Sequence, residues 1–111
     1  MAMNSCNFVG NLVNDPAYFD GEAPRVLFTL AVDHNGKPVD GHKQAEFLDF
    51  IAWRSTAEYI AKYCHKGDKL AVQNAMARKR DFVTQNGEHV QKTEFQVESV
   101  DIVRRARAKD E

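Results

Sequence analysis

The chain carries its apolar residues in short runs separated by turn residues, the pattern of a small β protein. SCNFVGNL (5–12) is a short apolar run followed by Asn14-Asp15-Pro16, and it reads as a strand and then a turn. RVLFTLAV (25–32), rich in Val, Leu, Phe and Thr, reads as a well-buried strand. DHNGKPVDGHKQ (33–44) is polar, is marked by Asn35-Gly36 and Asp40-Gly41, and is expected to form a long, mobile hairpin loop.

AEFLDFIAWR (45–54) alternates informatively. One face carries Leu48, Phe50 and Ala52, the other Phe47, Asp49, Ile51 and Trp53. A face of Phe, Asp, Ile and Trp suits a surface that binds something flat better than a dry core. The bland alternatives are a core position for Trp53 and a subunit interface for Phe47.

STAEYIAKYCHKG (55–67) has the 3.6-residue period. Ala57, Ile60, Ala61 and Cys64 make its apolar stripe. Ser55 and Glu58 have capping-box spacing, and Gly67 is expected to supply a left-handed cap. KLAVQNAMARKRDF (69–82) is expected as a strand with Leu70, Val72 and Met76 inward. HVQKTEFQVESVDIV (89–103) returns, with Val90, Phe95, Val97, Val100, Ile102 and Val103 as its apolar positions. Asn86-Gly87 between the two is the strongest short hairpin signal. The charged tail from Arg104 is expected to fray.

Three strands, one helix and two further strands is the order of an all-β, five-stranded OB-fold barrel with its helix between strands 3 and 4. At 111 residues the chain is read as one domain, residues 1–103, with a short tail at 104–111.

Charge changes the picture only locally. The formal net charge is −1, which by itself argues against a strongly basic polyanion binder. Lys69 to Lys92, however, holds five basic residues against two acidic ones, whereas Asp15 to Asp33 holds four acidic residues against Arg25 alone. Arg78, Lys79 and Arg80 stand in a row beside Phe82, close to the hairpin tip. A solvated charged hairpin is the ordinary reading of such a run, and a finger that grips phosphates and stacks on a base is the sharper one.

Cys6 and Cys64 read as small buried hydrophobes of a reducing cytoplasm, and Cys64-His65 lacks zinc-site spacing. No Gly-rich phosphate loop or nucleophile–base pair is present, and the aspartates fall on separate elements. Neither an enzyme nor a cofactor or metal is expected.

Several of these stretches resemble the bacterial single-stranded DNA-binding (SSB) proteins. NFVGNLVNDP (7–16) is similar to the family's opening strand and FTLAV (28–32) to its second. AEFLDFIAW with AEYIAKYCHKGDKLAV resembles the third strand, helix and fourth strand. ARKRDFVTQNGE with TEFQVESV resembles the basic hairpin and last strand. The resemblance covers roughly residues 4–103.

It implies sequence-independent binding of single-stranded DNA in replication, recombination and repair, by a homo-oligomer, most often a homotetramer, in the cytoplasm at the nucleoid. Phe47, Trp53 and Phe82 fall where the family has stacking aromatics, and Arg78, Lys79 and Arg80 match its basic hairpin. Arg54, Lys37 and Lys43 are candidates for further phosphate contacts. The rival readings are a primosomal-type accessory factor and an oligomeric protein-interaction module.

Departures are visible as well. Asp49 stands where the family usually has a basic residue, which implies weaker binding or a shifted strand path. Spacing from Gly67 to Phe82 is one residue longer than usual, so a one-residue bulge between Ala77 and Phe82 is expected to turn Phe82 outward. Asn35 and Gly36 stand where a further Trp is common. The family's long tail with an acidic tip, which recruits replication and repair proteins, is not found up to Glu111, where Arg104, Arg105, Arg107 and Lys109 stand nearby; either the sequence is a piece of a longer chain, or this recruitment is expected to be lacking. No membrane association is expected.

Overall fold

A computed structural model describes residues 3–34, 38–42 and 44–106. Within them the order is β1 (Cys6–Leu12), β2 (Ala17–Phe19), β3 (Arg25–Asp33), β4 (Ala45–Trp53), α1 (Arg54–Tyr63), β5 (Lys69–Val83), β6 (His89–Val97) and β7 (Ser99–Arg104).

Five of the strands close on themselves. β1 pairs with β3, β3 with β4, β4 with β6, β6 with β5, and β5 returns to β1. The β4–β6 contact is parallel and limited to Phe50–Ala52 against Phe95–Val97, and it completes the ring. The expected five-stranded OB-fold with one helix between its third and fourth ring strands is therefore present. Two short strands lie outside the ring: β2 extends the free edge of β3, and β7 pairs with β5.

Closure brings β1 hard against its neighbour. A Cβ on Gly10 would lie 2.7 Å from the Ala31 carbonyl oxygen, so only glycine fits the crossing.

Alternation fills the ring. Val26, Phe28 and Leu30 of β3, Phe50 and Ala52 of β4, and Leu70, Val72 and Ala75 of β5 all point inward. Phe8, Phe28, Phe50 and Phe95 pack at centroid distances of 4.8–5.5 Å, with Phe28 stacked on Phe50. The helix adds Ala57, Ile60 and Cys64 to this core, as its stripe predicts, while Ala61 is half-buried. Cys6, expected inside, is half-buried.

The helix ends differ from the expectation. It starts at Arg54 with Trp53 as N-cap, so Ser55 lies inside the helix, and no side chain caps the end. Arg54 takes a left-handed φ of 57°, held by its N–H donating to the Pro24 carbonyl at 2.7 Å. The helix closes at Tyr63. Gly67 sits beyond it, in a turn where the Asp68 N–H donates to the His65 carbonyl. The Asp68 carboxylate, buried, accepts from the N–H groups of His65 and Ala106. Arg105 donates to the Tyr63 carbonyl, so the chain is tied down past Arg104; residues 107–111 lie outside the described residues.

Three sequence expectations fail for one connected reason. Met76 is 40% exposed rather than inward, no bulge lies between Ala77 and Phe82, and residues 89–103 form two strands instead of one. The extra residue enters earlier, at Asn74, which has φ 59°. Cys6 pairs with Ala75 and Phe8 with Val72, so three steps along β5 match two along β1. Asn7 accepts the Asn74 N–H, Asn74 accepts the Ser5 hydroxyl, and Asn4 exchanges hydrogen bonds with the Ala77 backbone. Polar side chains at the start of the chain thus replace the ladder bonds that the bulge forfeits. At the same level β5 changes partner, from β7 over Lys69–Gln73 to β6 over Met76–Val83, and the returning chain bends at Glu98. The bend lets Val97 and Val100, an odd three residues apart, both be buried.

Candidate nucleic-acid interface

The outer face of the ring follows from its register. Arg25 pairs with Trp53, Leu27 with Ile51, Thr29 with Asp49 and Ala31 with Phe47. On the hairpin, Met76 pairs with Gln96, Arg78 with Glu94, Arg80 with Lys92 and Phe82 with Val90. Directly paired residues share a face, so Phe47, Trp53, Arg78, Arg80 and Phe82 all stand on one side of the sheet.

Phe47 is 67% exposed, Phe82 is exposed and Trp53 is half-buried. Phe47 and Trp53 lie at opposite ends of β4, about 20 Å apart for six residues of strand. Ile51, between them, is buried.

The bulge at Asn74 puts Phe82 outside. It reverses the parity of everything downstream, so Met76, Arg78, Arg80 and Phe82 face solvent together. The same alternation separates Lys79, whose partner Thr93 is on the opposite face of the hairpin. The basic run therefore divides into Arg78 and Arg80 on the aromatic side and Lys79 on the other. The hairpin tip is also not a two-residue Asn-Gly turn. Thr84 pairs with Glu88 around Gln85-Asn86-Gly87, with Gly87 left-handed at φ 81° and the Thr84 hydroxyl accepting from the Glu88 N–H.

Trp53, Arg78 and Arg80 line one groove with Arg25, Leu27, Ile51 and Glu94. The Arg80 guanidinium lies 5.8 Å from the Phe82 ring centroid and 3.7 Å from Glu94, and Arg78 donates to the Gln96 side-chain oxygen at 2.7 Å. Both arginines are held on the face yet remain exposed.

Asp49, the one departure at the centre of this face, is answered by its neighbours. Lys92 forms an ion pair with it, and the Thr29 hydroxyl donates to it at 2.8 Å. Desolvation pushes the Asp49 carboxyl up, but the hydrogen bonds from Lys92 and Thr29 and the charge of Lys92 outweigh it and hold the group below the usual carboxylate range. The carboxylate is charged at neutral pH and locally compensated.

Arg54 is exposed at the strand–helix junction, one residue past the sheet. Lys37 and Lys43 lie outside the described residues. Arg25 and Lys92 join this face without having been singled out. Lys92 was legible once the hairpin was centred near Asn86, which sets it opposite Arg80. Arg25 needs the β3–β4 register, which no local signal supplies. Among the described residues no cluster of His, Cys, Asp or Glu has the geometry of a metal site, and no helix is long and apolar enough to cross a membrane.

Comparison with known proteins agrees with this geometry. The single-strand binding protein family matches residues 3–103. Single-stranded DNA-binding protein 1 of Streptococcus pyogenes is 32% identical over 103 residues, 91% of this chain and 78% of that protein. Single-stranded DNA-binding protein A of Bacillus subtilis is 34% identical over 100 residues, 88% of this chain and 58% of that protein. The single-stranded DNA-binding protein of Lactiplantibacillus plantarum is 32% identical over 103 residues, and the match spans 51% of its length. The chain thus spans only about half to three fifths of the latter two relatives. With the ring topology, the aromatic outer face and a match over nearly the whole length in agreement, the chain belongs to the single-strand binding protein family.

Proposed function

We propose that this chain binds single-stranded DNA without sequence choice and acts in replication, recombination and repair. The observation that carries the reading is the outer sheet face, where Phe47, Trp53 and Phe82 share one side with Arg78 and Arg80. Every base has a π-face, so stacking on such a platform contributes about 1–3 kcal/mol per base whatever the sequence. The arginines take phosphates and release counterions, a term that weakens with salt. A duplex hides its base faces and gains only the second term. Arg54 and, on the other side of the hairpin, Lys79 track the strand as it leaves the face, with Lys37 and Lys43 as further phosphate contacts. The reaction is binding alone, with no bond made or broken, and the binding unit is residues 1–103.

The working form is a homo-oligomer, four chains rather than two, since a small ring with short outlying strands gains stability when its edges are covered. An interaction module with little nucleic-acid affinity draws its support from Asp49 and from the near-neutral total charge, and the Lys92 ion pair weakens the first of these.

The test is fluorescence anisotropy with labelled oligo-dT, mixed-sequence single strands and a duplex of equal length, alongside sedimentation of the free protein. Comparable tight binding of both single strands, much weaker binding of the duplex and a four-chain species are expected. Equal affinity for duplex and single strand would contradict the stacking mechanism.

A further inference from the structure

The aromatic face does not stop at Trp53. β2 lies along the edge of β3, with Phe19 paired to Arg25, and Arg25 is paired in turn to Trp53. The three stand abreast on the same side of three neighbouring strands, which sets Phe19 two strand spacings, about 10 Å, from Trp53. Phe19 is 42% exposed, an unusual place for a phenylalanine on a three-residue edge strand whose other members are also exposed. The Arg25 guanidinium lies over its ring, 4.8 Å from the centroid. Among the described residues Arg25 has no carboxylate within salt-bridge distance. The nearby acid Asp20 already accepts the Gly21 N–H at 2.9 Å.

We infer that Phe19 and Arg25 form a further station for the single strand, at the β2 edge of the sheet, where a base stacks beside the guanidinium on Phe19 and the adjoining phosphate meets Arg25. The inference rests on the proposed single-stranded DNA binding of this face and adds to it a direction. The strand runs from the hairpin arginines across Trp53 to β2, transverse to the strands, rather than only along β4. A stacked Arg–Phe pair suits such a station. The guanidinium is already desolvated on one face and oriented, so little freedom is lost when a base or phosphate joins it. Stacking on Phe19 is the station's main contribution, and Arg25 adds one phosphate contact to it.

The experiment measures anisotropy for an oligo-dT length series with the wild-type chain and with Phe19→Ala, Phe19→Leu and Arg25→Ala. Phe19→Leu keeps the apolar bulk on the edge strand and removes only the π-face, so it reports on stacking even if the alanine variant disturbs β2. Both Phe19 variants are expected to bind long oligomers about fivefold or more weakly, with the loss shrinking for the shortest oligomers that still quench Trp53. Their salt slope should stay at the wild-type value, and Arg25→Ala should lower it by about 0.7. Wild-type affinity of Phe19→Leu at every length would overturn the inference. So would unchanged affinity with an altered sedimentation coefficient, which would assign Phe19 to contacts between copies. If the wild-type chain itself neither binds nor shows quenching, it is the proposed function that fails.

Discussion

The seven phenylalanines divide cleanly between the two sides of one sheet. Phe8, Phe28, Phe50 and Phe95 fill the ring, each within 5.5 Å of another. Phe19, Phe47 and Phe82 stand outside it with Trp53, among arginines. Phe47 and Phe50 are three residues apart on one strand, at 67% and 1% exposure. Identical side chains therefore do opposite work, and only strand parity tells them apart. Inside, an aromatic ring gives stability through area and packing. Outside, the same area costs solvation until a flat partner covers it, which marks it for binding rather than folding.

That division can be broken most forcefully from within. Phe50→Ala should cost about 3–5 kcal/mol of stability, read as a lower denaturation midpoint, because its three aromatic partners in a closed ring cannot collapse onto the gap. Phe47→Ala should leave stability within about 0.5 kcal/mol and instead weaken oligo-dT binding by about 1–3 kcal/mol. Reversed sensitivities would mean that the sides have been misassigned.

Asp49→Asn sharpens the outer half. It removes a negative charge and frees Lys92, so affinity should rise a few-fold and the salt slope should steepen by about 0.7. The ion pair itself adds at most about 1 kcal/mol of stability. Since the carboxyl is held below its ordinary value in the fold, that stability is complete above about pH 4, the unfolded pKa. It is lost as pH falls through the lower folded value. The stability gap between wild type and Asp49→Asn should therefore close only in acid, seen in melts across a pH series. The smallest effect is chemical. Burial pushes the Cys64 thiol up to about 11, so a thiol reagent at neutral pH should label half-buried Cys6 first and Cys64 only on unfolding.

How much of this was legible in the sequence depended on how local the cause is. The β4 alternation, the helix stripe of Ala57, Ile60 and Cys64, and the hairpin around Asn86-Gly87 are set by spacing, and each appeared where expected. The need for an extra residue before Phe82 was also visible, as an inconsistency of parity. Its position was not. It lies at Asn74 because the side chains of Asn4, Ser5 and Asn7, some seventy residues away, satisfy the irregular backbone there. The break between β6 and β7 follows from the same partner switch. The capping box failed because the β4–α1 junction turns one residue early, at left-handed Arg54, leaving Ser55 inside the helix. Lys79 was grouped with Arg78 and Arg80 by adjacency, although neighbours on a strand face opposite ways. Arg25 and Phe19 were missed because register between strands is not written in either strand alone.

Trp53 is the single tryptophan and sits where the aromatic row meets the arginine groove, so its fluorescence reports directly on the outer face. Titration with oligo-dT at low salt, repeated across a salt series, should give strong quenching whose midpoint weakens steeply as salt rises. Unchanged Trp53 fluorescence alongside tight binding by anisotropy would place the DNA elsewhere on the molecule and contradict the assignment of this face.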